Sequence, residues 1–155
     1  MLDQSAFFTC FCDYSALREL GINIDFISVN SDFTPYSIII APSLPIVDQA
    51  FVDKSQASTA QFIFGPRAGA KTSEFGYPIS LPPGLLQQLI PIRILSVETL
   101  RAMEGLCWNK QQYQSGSWCE QIEAGESEVL ARYDNGEPAV VRQDRTTYIG
   151  TLTSR

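Results

Sequence analysis

The sequence predicts an α/β domain with a mostly parallel sheet that gives way to antiparallel strands toward the C-terminus. Segments that read as buried strands alternate with short helical patterns through the N-terminal two thirds of the chain. The run Tyr36 to Ala41 is almost wholly apolar, the pattern of a parallel strand covered on both faces. In the last third, Asp134-Asn135-Gly136 is a hairpin turn between two strand-like segments, because Asn and Gly tolerate positive φ.

Taken in order, Asp13 can cap a helix reaching Leu20, with Ala16, Leu17 and Leu20 on one face and Gly21 placed to end it. Ile24 to Val29 reads as a strand, and Tyr36 to Ala41 as the next. After Pro42 and Pro45, the pattern Val47 to Ala57 predicts a helix that turns Val47, Ala50, Phe51 and the stem of Lys54 inward. Gln61 to Phe64 is a short buried strand. The loop Gly65-Pro66-Arg67-Ala68-Gly69-Ala70-Lys71 leaves it at the carboxyl edge of the expected sheet, where open α/β folds place their sites. Leu81-Pro82-Pro83-Gly84 opens a helix over Leu85 to Leu89, and Ile92 to Val97 is rich in β-branched residues. Gly105 to Gln121 is predicted to be a long loop. Val129 to Tyr133, Ala139 to Arg142 and Thr147 to Thr151 supply the closing antiparallel strands.

The chain has 155 residues, enough for one domain and an ordinary core. With no repeat and no long linker, residues 1–155 are expected to form a single unit with an atypical segment over 1–12. Seventeen acidic against eleven basic residues give a net charge of -6, and no basic block follows a phosphate backbone, so nucleic acid is excluded as a partner. No run approaches the ~18 apolar residues of a membrane span. Met1 to Cys12 lacks the basic region and cleavage site of a signal peptide, which predicts a cytoplasmic protein with no membrane partner.

The chain has no histidine, so Ser-His-Asp, Cys-His and His-metal chemistry are excluded for this chain acting alone. Cys10 and Cys12 are one residue apart, not the usual zinc-knuckle spacing, and with Cys107 and Cys119 they read as thiols; no metal or cofactor is expected. In the loop Gly65 to Lys71, Gly65 and Gly69 flank Arg67, and Lys71 follows, a set that could hold an anion or ligand or form an interface; it lacks the spacing of a Walker loop. Trp108 and Trp118 could stack on a sugar, or pack beneath the expected loop. Glu120, Glu123, Glu126 and Glu128 read as solvated surface and not as a catalytic carboxylate pair.

From Tyr14 onward the segments resemble the middle, trimerisation domain of β-galactosidases of glycoside hydrolase family 42. Ala16-Leu17-Arg18-Glu19-Leu20-Gly21-Ile22-Asn23-Ile24-Asp25-Phe26 is similar to that family's helix-to-strand entry, and Tyr36 to Leu44 to its next strand. Gly65-Pro66-Arg67-Ala68-Gly69-Ala70-Lys71-Thr72 resembles its Gly-Pro-Arg-Ser-Gly-Ser-Lys-Thr loop, and Leu81-Pro82-Pro83-Gly84-Leu85-Leu86 its proline-glycine helix entry. Trp118, Val129-Leu130-Ala131-Arg132-Tyr133, Gly136 to Val141 and Tyr148-Ile149-Gly150-Thr151 follow in the family's order.

The resemblance implies a flavodoxin-like, class I glutamine amidotransferase-like three-layer sandwich without that class's nucleophilic Cys or its His. It implies a non-catalytic domain that assembles as a homo-oligomer, a trimer, or joins a β-galactosidase barrel. The rival readings are a free-standing small-molecule or sugar-binding module and an enzyme of carboxylate or thiol chemistry. The barrel typically needs ~250 residues, so it is not contained in this chain. Two segments depart from the family. Ala6 to Cys12 stands where the family has its first strand, so its apolar run must be buried within the chain or by a second copy, and the trimerising resemblance favours the second copy. Asp144-Arg145-Thr146 replaces a Gly-Lys-Gly turn and implies a shorter last hairpin.

Overall fold

The computed structural model describes residues 13–99 and 105–153. The chain enters through a helix, α1, over 13–19, which Gly21 ends at a φ of +75°. The strands that follow are β1 (Ile38–Ala41), β2 (Gln61–Phe64), β3 (Arg93–Glu98), β4 (Gly105–Trp108) and the long β5 (Gln111–Glu123). They are completed by β6 (Glu128–Tyr133), β7 (Pro138–Gln143), β8 (Thr146–Ile149) and β9 (Thr151–Thr153). A helix, α2 (Gln49–Ala57), lies between β1 and β2, and a 3₁₀ turn (Gly84–Gln88) precedes β3.

This architecture overturns the expected flavodoxin-like, amidotransferase-like α/β sandwich. The described residues form a mostly β structure with strand order β1-β2-β8-β7-β6-β4-β5-β3, and β9 lies against β5. Only β1–β2 and β2–β8 run parallel; the other ladders are antiparallel. The expectation failed for three reasons. The neighbour of β2 is not another βα unit but β8, from the C-terminal meander. Ile24 to Val29 forms no strand among the described residues. The expected loop over Gly105 to Gln121 is the β4–β5 hairpin, turned by Asn109 and Lys110 at φ of +50° and +65°.

β5 belongs to two sheets. Its first residues pair with β4 in a curled sheet of seven strands, and its second half lies between β3 and β9 in a small antiparallel sheet. The chain also passes from one sheet to the other at Gly150, so the expected strand Thr147 to Thr151 is divided between β8 and β9. A Cβ there would lie 2.8 Å from Ile122 Cδ1, so a larger residue would require the end of that side chain to shift.

The core sits where α2 and the 3₁₀ turn cover β1, β2 and β8. Asp48 caps α2 by accepting the Phe51 amide at 2.8 Å. The helix buries Phe51, Val52 and Ser55, while Ala50, expected inward, is exposed. Phe33 and Phe51 meet edge to face at 5.7 Å, and Phe51 meets Phe64 likewise at 6.2 Å. Lys54 lies over the Phe33 ring and donates to the carbonyls of Val29 and Ser31, so its stem packs as expected. In α1 the expected apolar face is open at Leu20. The Asp134-Asn135-Gly136 turn forms as predicted, with Gly136 at a φ of +87°. The segment Ala6 to Cys12 lies outside the described residues. No helix among the described residues is long and apolar enough to cross a membrane.

Candidate functional site

The loop from Gly65 to Lys71 leaves the end of β2 and is wedged between two proline-rich segments. A Cβ on Gly65 would lie 2.0 Å from the Pro42 carbonyl oxygen, and one on Gly69 would lie 1.9 Å from that of Pro83. Both glycines are therefore demanded by close backbone approach, and Gly69 also by its φ of +65°. Prolines accept hydrogen bonds but donate none, so the loop supplies the donors. The amides of Gly65, Gly69 and Lys71 donate to the carbonyls of Ala41, Leu44 and Pro45, each at 2.9 Å. The amide of Ala70 donates to Arg67 O at 3.2 Å, and that of Arg67 to Glu120 Oε1 at 2.9 Å. Amides that could cradle an anion are thus already bonded within the chain.

Glu120 is the polar centre of this region, and it corrects the expectation of a solvated glutamate. Glu123, Glu126 and Glu128 are exposed, but Glu120 is 2% exposed. Its Oε1 also accepts Trp118 Nε1 at 3.2 Å, and its Oε2 accepts the Tyr148 hydroxyl at 2.7 Å. Three elements meet there: the loop after β2 through Arg67, β5 through Trp118 and Glu120, and β8 through Tyr148. Trp118 and Glu120 are two apart on one strand and so share a face. The Arg67 guanidinium stands 5.3 Å from the Trp118 ring centroid, a cation–π stack above the carboxylate.

Burial pushes the Glu120 carboxyl up from the ordinary carboxylate value; hydrogen bonds from Tyr148, the Arg67 amide and Trp118, then the Arg67 charge, pull it back. Burial raises the Tyr148 and Tyr133 phenols, and the Glu120 charge adds to both. Tyr133 donates to the Gly150 carbonyl at 3.0 Å. Both carboxylate oxygens are therefore engaged by groups of the chain itself. The adjoining gap, lined by Glu98, Gln121, Asn135 and Glu137, has about 10 Å³, too little for a sugar.

Of the residues singled out in the sequence, Gly65, Arg67 and Gly69 come together with Trp118. Lys71 lies at the far end of the loop, its ammonium 3.7 Å from the Tyr77 ring centroid. Trp108 ends β4 opposite Gln111. Seven residues of strand, about 23 Å at ~3.3 Å each, separate Gln111 from Trp118, so the two indoles do not form one platform. Glu120 and Tyr148 were missed. Their partners are distant in sequence, and the period-2 pattern Trp118, Glu120, Ile122 was hidden among polar neighbours. A cleft of about 220 Å³ lies between α1 and the ends of β1 and β2, lined by Asp13, Leu17, Ile40, Pro42, Ile63 and Pro66. It falls below the ~300 Å³ at which ligand pockets begin. No group of three His, Cys, Asp or Glu among the described residues is placed to hold a metal.

The site is thus a buried carboxylate, closed by the chain's own donors, within a two-sheet β scaffold. Comparison with known proteins makes this specific: residues 10–155 match the β-galactosidase trimerisation domain, and the chain belongs to that family. It is 34% identical over 146 residues to a β-galactosidase of Thermus thermophilus, covering 91% of this chain and 22% of that enzyme. It is 35% identical over 143 residues to the β-galactosidase BgaA of a Thermus species, with the same shares. Among solved structures, the β-galactosidase of the psychrophilic Marinomonas ef1 superposes with a TM-score of 0.91 at 26% identity, over 96% of this chain and 23% of that one. The chain thus spans less than a quarter of the length of these relatives.

Proposed function

We propose that this chain is the assembly domain of a β-galactosidase, holding copies of the enzyme together while a separate (β/α)₈ barrel hydrolyses terminal β-galactosides. The match of residues 10–155 to a trimerisation domain carries this reading. The Glu120 cluster supports it, because a carboxylate that already accepts three hydrogen bonds within the chain has no open face toward a glycosidic oxygen. Gly65, Arg67 and Gly69 then serve to lock the loop after β2 onto the core. The partner is a second copy, in a closed trimer, and the barrel comes from the rest of the polypeptide or from another chain. The working compartment is the cytoplasm; Cys107, an exposed thiol in no disulfide, fits a reducing environment.

The test has two arms. Light scattering on the purified chain is expected to give three times the 17.2 kDa of one copy. A chromogenic β-galactoside is expected to remain intact. Hydrolysis that survives stringent purification and disappears in Glu120→Gln overturns the non-catalytic reading.

A further inference from the structure

Between Glu74 and Arg93 lie eighteen consecutive residues without a charge, the longest such run in a chain of net charge -6. Part of this run is core, since Leu86, Ile90 and Ile92 are buried. The other part is a stripe open to solvent: Phe75 is 71% exposed, Tyr77 76%, and Ile79 fully, with Leu81 and Leu85 more than a third exposed.

The stripe is held in place. The Thr72 amide donates to Gly76 O at 2.9 Å, and the Gly76 amide returns to Thr72 Oγ1 at 3.1 Å. Gln87 Nε2 donates to Ser80 O at 2.9 Å and to Leu81 O at 3.1 Å. The Lys71 ammonium lies over the Tyr77 ring of the same segment, 3.7 Å from its centroid. A fixed row of aromatic and aliphatic side chains without charge has the composition of an interface core. Taking about 200 Å² for each such side chain when fully open, the stripe presents roughly 600 Å² per copy. That is most of the ~800 Å² per partner of a standard interface, and at the upper end of the ~300–600 Å² of the largest patch on a soluble monomer.

We infer that the stripe Phe75, Tyr77, Ile79, with Leu81 and Leu85 beside it, is the surface on which copies of this chain meet. The inference rests on the assembly reading above and adds where the contact is made. Charge selects the occupant. Around a three-fold axis each residue near the axis faces its own equivalents, so a charged group there meets two like charges. The side chains of Phe75, Tyr77, Ile79, Leu81 and Leu85 carry no charge, so copies that meet there avoid that repulsion.

Sedimentation velocity on the chain and on Ile79→Asp and Ile79→Arg tests the inference. Ile79 is fully exposed, so neither substitution touches the core, and circular dichroism should be unchanged. The native chain is expected to sediment as a trimer and both variants as a monomer, a threefold loss of mass whatever the sign of the new charge. If the native chain is a trimer and both variants remain trimers, the copies meet elsewhere and the inference falls while the assembly reading stands. A native chain that is monomeric throughout the micromolar range overturns the assembly reading, and this surface with it.

Discussion

Replacing Glu120 by Ala removes the acceptor of three donors at once: the Arg67 amide, Trp118 Nε1 and the Tyr148 hydroxyl. Tyr148 is fully buried, so its hydroxyl has no route to bulk water. Each buried donor left without a partner costs about 1–3 kcal/mol, and allowing for a water entering the vacated volume the total is about 4 kcal/mol. Against the ~5–15 kcal/mol that stabilises a typical domain, that is a large loss. Urea unfolding at fixed protein concentration, followed by tryptophan fluorescence, should show the midpoint falling by about 2 M if the slope is ~2 kcal/mol per molar.

Glu120→Gln separates the hydrogen bonds from the charge. The amide keeps one oxygen for the Arg67 and Trp118 donors but turns an NH₂ toward Tyr148, so the loss at neutral pH is expected to be about 1 kcal/mol. Because burial holds the folded carboxyl above its ordinary value of 4.5, its stabilising contribution is full below that pH. It declines as pH rises through the folded value. The advantage of the native chain over Glu120→Gln should therefore be greater at pH 5 than at pH 8. A loss below 1 kcal/mol for Glu120→Ala, or an advantage over Glu120→Gln that grows with pH, refutes the view of Glu120 as a buried, internally satisfied acceptor.

Two further outcomes follow from backbone geometry. Gly69→Ala places a Cβ against the Pro83 carbonyl at a φ of +65° and should prevent soluble expression or lower the melting midpoint by more than 10 °C, as a thermal melt will show. Lys110→Gly relieves a left-handed residue, φ +65°, in the β4–β5 turn, and should raise the midpoint by a few degrees; no change or a fall counts against that turn.

Much of the local structure was legible in the sequence because its signals are local. The strand Gln61–Phe64 is short and apolar, the spacing of Val47 and Phe51 marks α2, and Asp134-Asn135-Gly136 declares its hairpin. The architecture was not legible, since the parallel β2–β8 pairing joins segments more than eighty residues apart. The β4–β5 hairpin escaped because Asn109-Lys110 lacks the glycine that advertises such turns, and because β5 is rich in Gln, Ser and Gly where apolar residues were sought. In the candidate site, Arg67 and its glycines stood out by type. Glu120 lay among other acidic residues, and nothing within a few positions of it tells that Tyr148 and the Arg67 amide will close around it.

The sharing of β5 between two sheets has a mechanical consequence. A module built of two sheets joined by a flexible strap can swivel, and load applied to one half is lost in the strap. Here the joint is a continuous strand, hydrogen-bonded to β4 at one end and to β3 and β9 at the other, with Glu120 clamping it to the loop after β2 and to β8. The two sheets are therefore joined by continuous backbone of one strand, not by a loop. Such a piece acts as a stiff bracket, able to fix the orientation of whatever bodies are fastened to its opposite faces.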